Sequence, residues 1–477
     1  MKHTDSNESA QSGQSYTTPL ISLTFLFFMW GFITCMNDIL IPHLKGLFVL
    51  SYLEAMLVQF CFFGAYFTGS LIYFLISYFK GDPINKIGYK NGLLLGLIIS
   101  ALGCLMFYPA ATLSVYGLFL AAFFVLGLGF TLLQITANPY VSLLGKESTA
   151  SGRLNLVQAF NSFGTTIAPI LGGYLIFHFF ATEGTLSAEA TKMPYLIFFG
   201  VFVLLTFFIY KVKLPAFKGH ESELDGLGAL RFPQLKRGAF AIFFYVGAEV
   251  TIGSFMISFL EHGDITGMKE TVAKNFLSLY WGGAMIGRFL GAISMSDALS
   301  QGKKMLYMVL VCVGLFVLIY AIVDLSFEQM QWFLLFIAAN LIGFTIGKSS
   351  PALMLSLFAT VNIVLLLVTV MTGGALSMWC LVGVGLFNSI MWSNIFTLSI
   401  SGLGEYKSQG SSLLVMAILG GAVIPPLQGS LADTVGIQLS FLIPVVCYVY
   451  ITYFGLFCMK KFKSVEFELE KATTSGH

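Results

Sequence analysis

The chain has 477 residues, of which 57% are hydrophobic and only 10% are charged. A soluble globular protein carries about 25% charged residues, so this composition excludes a water-soluble fold and also a disordered, collagen-like or disulfide-rich chain. The formal net charge of +2 is too small to favour nucleic acid as a partner. What remains is an all-α or β-barrel polytopic membrane protein, with the lipid bilayer as its surroundings.

Residues 1–18 are mostly polar and lack the basic start and cleavage pattern of a signal peptide, which predicts a disordered cytoplasmic tail. After this tail come apolar runs of about 20 residues, each long enough to cross a bilayer as a helix and too long and continuous for a β-barrel. The runs predict an all-α protein with fourteen spans: 19–47, 54–79, 90–109, 113–141, 153–180, 193–212, 238–261, 273–296, 303–323, 329–347, 351–372, 374–401, 408–431 and 436–459.

The positions of the basic residues test this count of spans. With the N-terminus in the cytoplasm, 21 of the 25 Lys and Arg residues fall on the cytoplasmic side, and only Lys45, Lys192, Lys269 and Lys274 fall on the other. Cytoplasmic loops of membrane proteins are enriched in Lys and Arg. The distribution therefore predicts fourteen helices with both termini cytoplasmic, and only helices omitted in pairs would preserve it.

The longest polar segment, residues 213–237, predicts a cytoplasmic linker that divides the chain into two bundles. The N-terminal bundle is predicted at 19–212, the C-terminal bundle at 238–460 and a cytoplasmic tail at 461–477. A weak repeat supports two halves, since GTTIAPILG at 164–172 resembles GAVIPPLQG at 421–429 and each follows a polar turn. Repeated halves are typical of secondary transporters.

Two acidic residues, Asp38 in the first span and Glu249 in the seventh, lie within apolar sequence. A carboxylate in the hydrocarbon region costs about 2.5–3.5 kcal/mol, so each is expected to face a cavity or a partner. The functional interpretation is ion or proton coupling, and the alternative is a structural hydrogen bond to a neighbouring helix. Pro42 follows Asp38 in the first span and favours a cavity there, because freed backbone groups line cavities.

Amide side chains form a second polar set within the spans, with spacings of three or four residues that place neighbours on one helical face. Amides both donate and accept hydrogen bonds, so they can replace the water around a sugar hydroxyl, and aromatic rings can stack on the sugar. The alternative is interhelical bonding, worth about 0.6 kcal/mol for each bond. The predicted substrate-binding residues are Asn37, Gln134, Asn138, Gln158, Asn161, Asn388, Asn394 and Trp392.

Arg153 and Arg288 are predicted to be gating or structural residues, since snorkelling to the membrane interface and capping of helix C-termini explain both positions. The sequence contains no nucleotide-binding or hydrolase motif, and its loops are too short for a catalytic domain. The seven cysteines lie in apolar runs without CxxC or His/Cys clusters. No enzyme activity, catalytic residue, cofactor or metal site is therefore predicted.

Long stretches of the sequence resemble the fucose/glucose/galactose permease branch of the major facilitator superfamily. These stretches are spread over most of residues 20–455 and comprise Trp30–Pro42, Met56–Phe67, Ala137–Pro139, Arg153–Gly164, Tyr245–Glu249 and Ser411–Gly421. The resemblance implies two six-helix bundles and alternating access. It also implies a secondary active symporter in the cell (inner) membrane that imports a hexose, either glucose/galactose or L-fucose, with H⁺ or Na⁺.

Individual positions make the implied coupling residues and substrate more specific. Asp38 falls on the family's first-helix Asp, which takes part in proton coupling. Gln134 falls where the fucose type has a Glu implicated in proton translocation, and Glu249 falls where that type has Gln. The resemblance thus implies that a carboxyl group has moved between the halves and that Glu249 is a second coupling acid. Thr34 and Cys35 are closer to the glucose/galactose type, which favours an aldohexose.

The superfamily usually has twelve helices, and its later motifs align the span 351–372 with the usual ninth helix. The spans 303–323 and 329–347 then form an inserted pair within 303–347, which is expected at the periphery of the C-terminal bundle, facing lipid. Two other functions stay open. One is a major facilitator carrier for another substrate class, such as a drug or a lipid, and the other is a membrane sensor or scaffold that transports nothing.

Overall fold

The computed structural model describes residues 17–80, 83–144, 150–179, 188–215, 228–295, 299–347, 350–403 and 406–474. The secondary structure within these ranges is helical throughout. Thirteen helical stretches in the described part of the chain are long and apolar enough to cross a membrane. The helix Ala150–Tyr174 adds a more polar one of 25 residues. Together they match the fourteen predicted spans.

Six long helices and two short ones form the N-terminal bundle. They are α1 (Thr17–Phe48), α2 (Tyr52–Ala55), α3 (Leu57–Lys80), α4 (Pro83–Ile87), α5 (Tyr89–Leu113), α6 (Tyr116–Leu143), α7 (Ala150–Tyr174) and α8 (Lys192–Lys211). A π-helical turn continues α7 to Phe179. The long helices alternate in direction, so we call the face at which α1 ends the far face and the face at which it begins the near face.

The C-terminal bundle contains the remaining helices. Two of its membrane spans each consist of two helices separated by a break. Its members are α9 (Pro233–Glu261), α10 (Glu270–Ser294), α11 (Gln301–Ile322), α12 (Phe327–Gly347), α13 (Pro351–Met371), α14 (Gly374–Asn388), α15 (Met391–Ile400), α16 (Lys407–Met416), α17 (Gly420–Val435), α18 (Ile437–Ser440) and α19 (Leu442–Thr474). The breaks separate α14 from α15 and α16 from α17. Broken helices leave backbone groups without helical partners inside the membrane, and these groups need other donors or acceptors.

Two helix bounds differ from the predicted boundaries of the linker and the tail. The helix α9 begins at Pro233, a residue suited to the first helical position, so the end of the predicted linker 213–237 is helical. The helix α19 continues to Thr474, through most of the predicted tail 461–477. Residues 216–227 of the linker and 1–16 of the predicted N-terminal tail lie outside the described residues.

Glycines in or next to the repeated motifs lie at close helix crossings in both bundles. A side chain at Gly164 of α7 would collide with the carbonyl oxygen of Phe28 in α1, and one at Gly420 of α17 would collide with that of Phe243 in α9. Glycine therefore lets the first long helix of each bundle approach a later helix at backbone distance. Gly164 belongs to the sequence repeat, whereas Gly420 lies one residue before it, and the repeat counterpart Gly421 meets the ring of Phe63 in α3.

We predict that Gly420→Ala destabilises the protein despite the better helix propensity of alanine. The added Cβ has to displace the α9 backbone, and overpacking of this kind costs about 1–3 kcal/mol. The matched control is Gly314→Ala in α11, where an added Cβ meets nothing within 4 Å. The unfolding temperature of the purified protein in detergent should fall only for Gly420→Ala. Equal temperatures for the two variants would contradict the close crossing.

The inserted pair, α11 and α12, lies against the outside of the C-terminal bundle. Ile319 of α11 packs against Gly282 of α10, and Phe336 of α12 packs against Gly383 of α14. The side-chain amide of Asn340 also donates to the carbonyl oxygen of Leu386 in α14 at 3.1 Å. Many other side chains of the pair are exposed on its outer surface. The pair therefore lies at the periphery, as predicted.

Candidate functional site

Asp38 lies where the two bundles meet. Its Oδ1 accepts a hydrogen bond from Gln59 Nε2 of α3 at 3.1 Å and one from Ser254 Oγ of α9 at 3.0 Å. Gln59 Nε2 also donates to Ser254 Oγ at 2.9 Å. The carboxyl group is only 5% exposed. We call these three residues the Asp38 junction, and because α9 belongs to the C-terminal bundle, the junction joins the two halves.

Several buried polar atoms around the Asp38 junction have no hydrogen-bond partner among the described residues. They are both side-chain polar atoms of Asn37 and Oε1 of Gln59. The Trp281 ring and Asp38 meet at Gly253, where an added Cβ would lie 3.2 Å from each. Unpartnered buried polar atoms are rare in native proteins. These donors and acceptors therefore suit a ligand rich in hydroxyl groups.

Glu249 lies one helical turn before Gly253 on α9, and it forms an ion pair with Arg288 of α10. Arg288 Nη2 is 3.4 Å from Glu249 Oε1, and the side chains are 8% and 13% exposed. The hydroxyl of Tyr245 donates to the same oxygen at 2.6 Å. Glu249 therefore has a cationic partner on the next helix of its own bundle.

Arg288 does not snorkel to the interface as predicted, because its guanidinium group is buried between the bundles. Its Nε donates to the carbonyl oxygen of Ser389 at 3.1 Å, and its Nη1 donates to that of Gln158 at 3.3 Å and to the hydroxyl of Ser162. The break between α14 and α15 leaves the Ser389 carbonyl without a helical partner, and Arg288 supplies one. Gln158 and Ser162 belong to α7, so Arg288 is a second link between the halves.

Three predicted amides of the N-terminal bundle show different environments. Asn138 donates to Gln134 Oε1 at 2.5 Å, so these two residues pair with each other on α6. Asn161 donates to the carbonyl oxygen of Phe27 at 2.9 Å and joins α7 to α1. All of these groups belong to one bundle, and only Gln134 and Asn161 keep partial exposure.

Gln158 differs from these amides because its side chain makes no hydrogen bond among the described residues and is partly exposed. Its backbone carbonyl receives the Arg288 guanidinium, which places Gln158 at the boundary between the bundles. A free amide at this position can bind a ligand held between the halves.

The predicted amides of the C-terminal bundle form hydrogen bonds inside that bundle. Asn388 is fully buried, donates to Tyr280 and accepts from Tyr448 and Asn362, all within its own bundle. Asn394 donates to the carbonyl oxygen of Pro351 at 3.2 Å, and Trp392 stacks on Phe396. Asn388 and Asn394 therefore connect helices of the C-terminal bundle in this conformation, whereas Trp392 packs on a residue of its own helix and its contact with a sugar stays a prediction.

Arg153 donates to the carbonyl oxygen of Val141 at 3.2 Å and so connects the start of α7 to the end of α6. This contact lies within the N-terminal bundle, close to the near face.

A third link between the bundles lies at the far face, where Asp433 of α17 accepts hydrogen bonds from the backbone N–H groups of Tyr52 and Leu53, each at 3.1 Å.

Sequence reasoning missed several residues of the site, notably Gln59, Ser254 and Ser162. Gln59 had a usable signal, since it is an amide inside the apolar second span. The two serines had none, because small hydroxyl residues are common in membrane helices and their partners lie on other helices.

A comparison with protein-family models matches residues 20–359 to the Major Facilitator Superfamily model. The chain belongs to the major facilitator superfamily. A glucose/galactose transporter of Brucella abortus is 44% identical over 450 residues, which are 93% of this chain and 95% of that relative. An L-fucose-proton symporter of Escherichia coli is 30% identical, over 94% of this chain and 95% of its own length.

The crystal structure of the fucose:proton symporter of Escherichia coli is also similar to this chain. It has a TM-score of 0.65 and 28% sequence identity, with 93% of this chain and 99% of the other covered. The family and the helices make this chain a multi-pass membrane protein with the major facilitator fold. The polar residues at the boundary between the bundles are therefore in the region that alternating access exposes in turn to the two sides.

We predict that Arg288→Met destabilises the protein by about 3–5 kcal/mol, because it leaves the Glu249 carboxylate and the Ser389 carbonyl without their donor. The control is Lys303→Met, which removes a positive charge from an exposed position. The double variant Glu249→Leu/Arg288→Met should recover part of the loss, since no buried charge is then unpaired. Unfolding in detergent measures all three, and equal stability of Arg288→Met and Lys303→Met would contradict the assignment.

Proposed function

We propose that this protein is a secondary active symporter that imports a hexose together with H⁺ by alternating access of its two bundles. The observation that carries this proposal is the Asp38 junction, where one buried carboxyl group accepts hydrogen bonds from both halves. The relatives' names, glucose/galactose transporter and L-fucose-proton symporter, support a sugar as substrate and a proton as the coupled ion. In a bacterial cell such a protein lies in the inner membrane.

The geometry of Asp38 supports a coupling role. Opening of the far face has to separate α1 from α9 and so break the bond between Asp38 and Ser254. Protonation of Asp38 removes the charge that makes it a strong acceptor, and so changes the free energy of this contact. A proton on Asp38 and the position of the bundles therefore influence each other, as symport requires.

The ion pair of Glu249 changes what we propose for the second acid. A carboxylate that neutralises a buried Arg288 would leave an uncompensated charge each time it bound a proton. Such a cost disfavours a titrating role in every transport cycle. We therefore assign coupling to Asp38 alone, with Glu249 as the counter-charge of Arg288.

Unpartnered groups support sugar recognition at the same boundary. Asn37, Gln59 and Trp281 offer donors, acceptors and an aromatic face beside Asp38. A hexose has hydroxyl groups that pair with amides and an apolar ring face that stacks on an indole. A drug carrier would instead offer a mostly apolar lining. A sensor would need no acid in the contact between the halves.

Uptake by membrane vesicles tests the proposal directly. Vesicles containing the protein are given labelled glucose, galactose or fucose, with a pH gradient or a Na⁺ gradient imposed separately. We expect accumulation of at least one hexose driven by the pH gradient. Accumulation with the Na⁺ gradient alone would make Na⁺ the coupled ion, and no accumulation of any hexose under either gradient would reject the proposal.

We predict that Asp38→Asn abolishes accumulation against a gradient, because an amide cannot bind and release a proton but can still form hydrogen bonds. Exchange of labelled for unlabelled sugar across the membrane should continue, since it does not require a net proton movement. The control is Asp264→Asn, which changes an exposed acid just after α9 and should accumulate sugar. Normal accumulation by Asp38→Asn would show that another group carries the ion.

A further inference from the structure

We propose that Glu249 is a sugar-binding residue that accepts a hydrogen bond from a substrate hydroxyl group, while Arg288 holds its carboxylate in place. This inference rests on the proposed function and assigns Glu249 a role in substrate selection instead of ion coupling. Three observations carry it: the position of the carboxylate, the use of its two oxygens and the groups beside it.

Glu249 is on the side of α9 that faces the other bundle. Gly253, one turn further along α9, is in contact range of Asp38 of α1, and Arg288 beside Glu249 reaches Ser162 of α7. Yet the Glu249 side chain keeps 13% of its surface exposed, while its neighbours Tyr245 and Tyr280 are 1% and 0% exposed. The carboxylate therefore borders open space at the boundary between the bundles.

The two oxygens of this carboxylate are used unequally. Oε1 accepts from Tyr245 and from Arg288, and the backbone carbonyl of Glu249 accepts from Tyr280 at 3.2 Å. Oε2 takes part in none of these bonds. An ionised carboxylate has about four acceptor positions, so Oε2 is available to a ligand. A hydroxyl group that donates to a charged acceptor makes a stronger bond than one that donates to an amide.

The neighbouring groups suit a sugar ring. Trp281 lies two helical turns before Arg288 on α10, so both residues lie near one face of that helix, and its indole ring is in contact range of Gly253. On the opposite bundle, the free amide of Gln158 belongs to the residue whose backbone receives Arg288. A carboxylate, an indole and an amide thus lie along the boundary between the bundles and come from both halves. They match the hydroxyl groups and the apolar face of a neutral hexose.

The arrangement also assigns sugar selection and ion coupling to two different acids. The Arg288–Glu249 pair is neutral as a whole, so the acceptor stays in place whether or not Asp38 carries a proton. Selection of the hydroxyl pattern then depends on Glu249, and coupling to the ion depends on Asp38. A site that hydrogen-bonds a particular hydroxyl rejects the analogue without it, because the site's own group is left unpaired.

The test measures binding of glucose, galactose and their monodeoxy analogues to the purified full-length protein and to Glu249→Gln. We expect the wild type to bind one deoxy analogue at least about 10-fold more weakly than the parent sugar, as the loss of a bond to a charged group implies. Glu249→Gln should bind the parent sugar about 10-fold more weakly and lose most of this discrimination.

The matched control is Glu261→Gln, which removes a carboxylate from the exposed end of the same helix. It should bind every sugar as the wild type does. If Glu249→Gln does not insert, Glu249→Asp keeps the charge and shortens its reach, and it should show the same loss of affinity and discrimination.

Two results would overturn the inference. One is unchanged affinity and discrimination in Glu249→Gln or Glu249→Asp. The other is unchanged affinity with loss of pH-driven accumulation, which would make Glu249 a coupling acid. Failure of the proposed function is a separate outcome, because the wild type itself would then bind and accumulate no hexose.

Discussion

A carboxyl group inside a membrane needs hydrogen-bond donors, and Asp38 receives them from two other helices, one in each bundle. This requirement determines much of the surrounding structure. Ser254 has to present a hydroxyl from the C-terminal bundle, and Gly253 beside it has to lack a side chain, so that α9 can approach both Asp38 and Trp281. This link between the halves is therefore chemically specific and depends on the charge of Asp38.

The second buried charge, that of Arg288, also needs hydrogen-bond partners, and these are acceptors because the guanidinium group only donates. Arg288 has five N–H donors that need acceptors, and it finds them in Glu249, in the carbonyl exposed by the break before α15, and in α7 of the other bundle. One residue thus stabilises a broken helix and joins the halves.

The sequence predicted the helices well and the partners of the polar groups only in part. Fourteen apolar runs and the loop charges were enough for the spans, because bilayer thickness sets their length. The inserted pair was recognisable because an added pair leaves the later topology unchanged. Asp38 and Glu249 were also recognisable, since an acid in an apolar run is costly.

The contacts between helices could not be obtained in this way, since they depend on residues far apart in the chain. The sequence predicted Arg288 at the membrane interface. Its contact with Glu249 forms only when α9 and α10 pack together, so the sequence alone did not show it. Asn388 and Asn394 are amides of the kind that bind sugars. Their side chains instead form hydrogen bonds with Tyr280, Tyr448 and Pro351 inside their own bundle. A polar residue in a membrane helix shows that a partner exists without showing which one.

The most direct measurement of the central claim is the distance across the far face, between spin labels at the exposed Val49 of the N-terminal bundle and Val435 of the C-terminal bundle. The wild type is compared with Ser254→Ala, which removes one donor to Asp38, and with Ser278→Ala, a buried serine whose hydroxyl has no partner among the described residues. The account predicts a shift towards longer distances for Ser254→Ala alone. The same distance distribution in all three proteins would show that the Asp38 junction does not hold the bundles together.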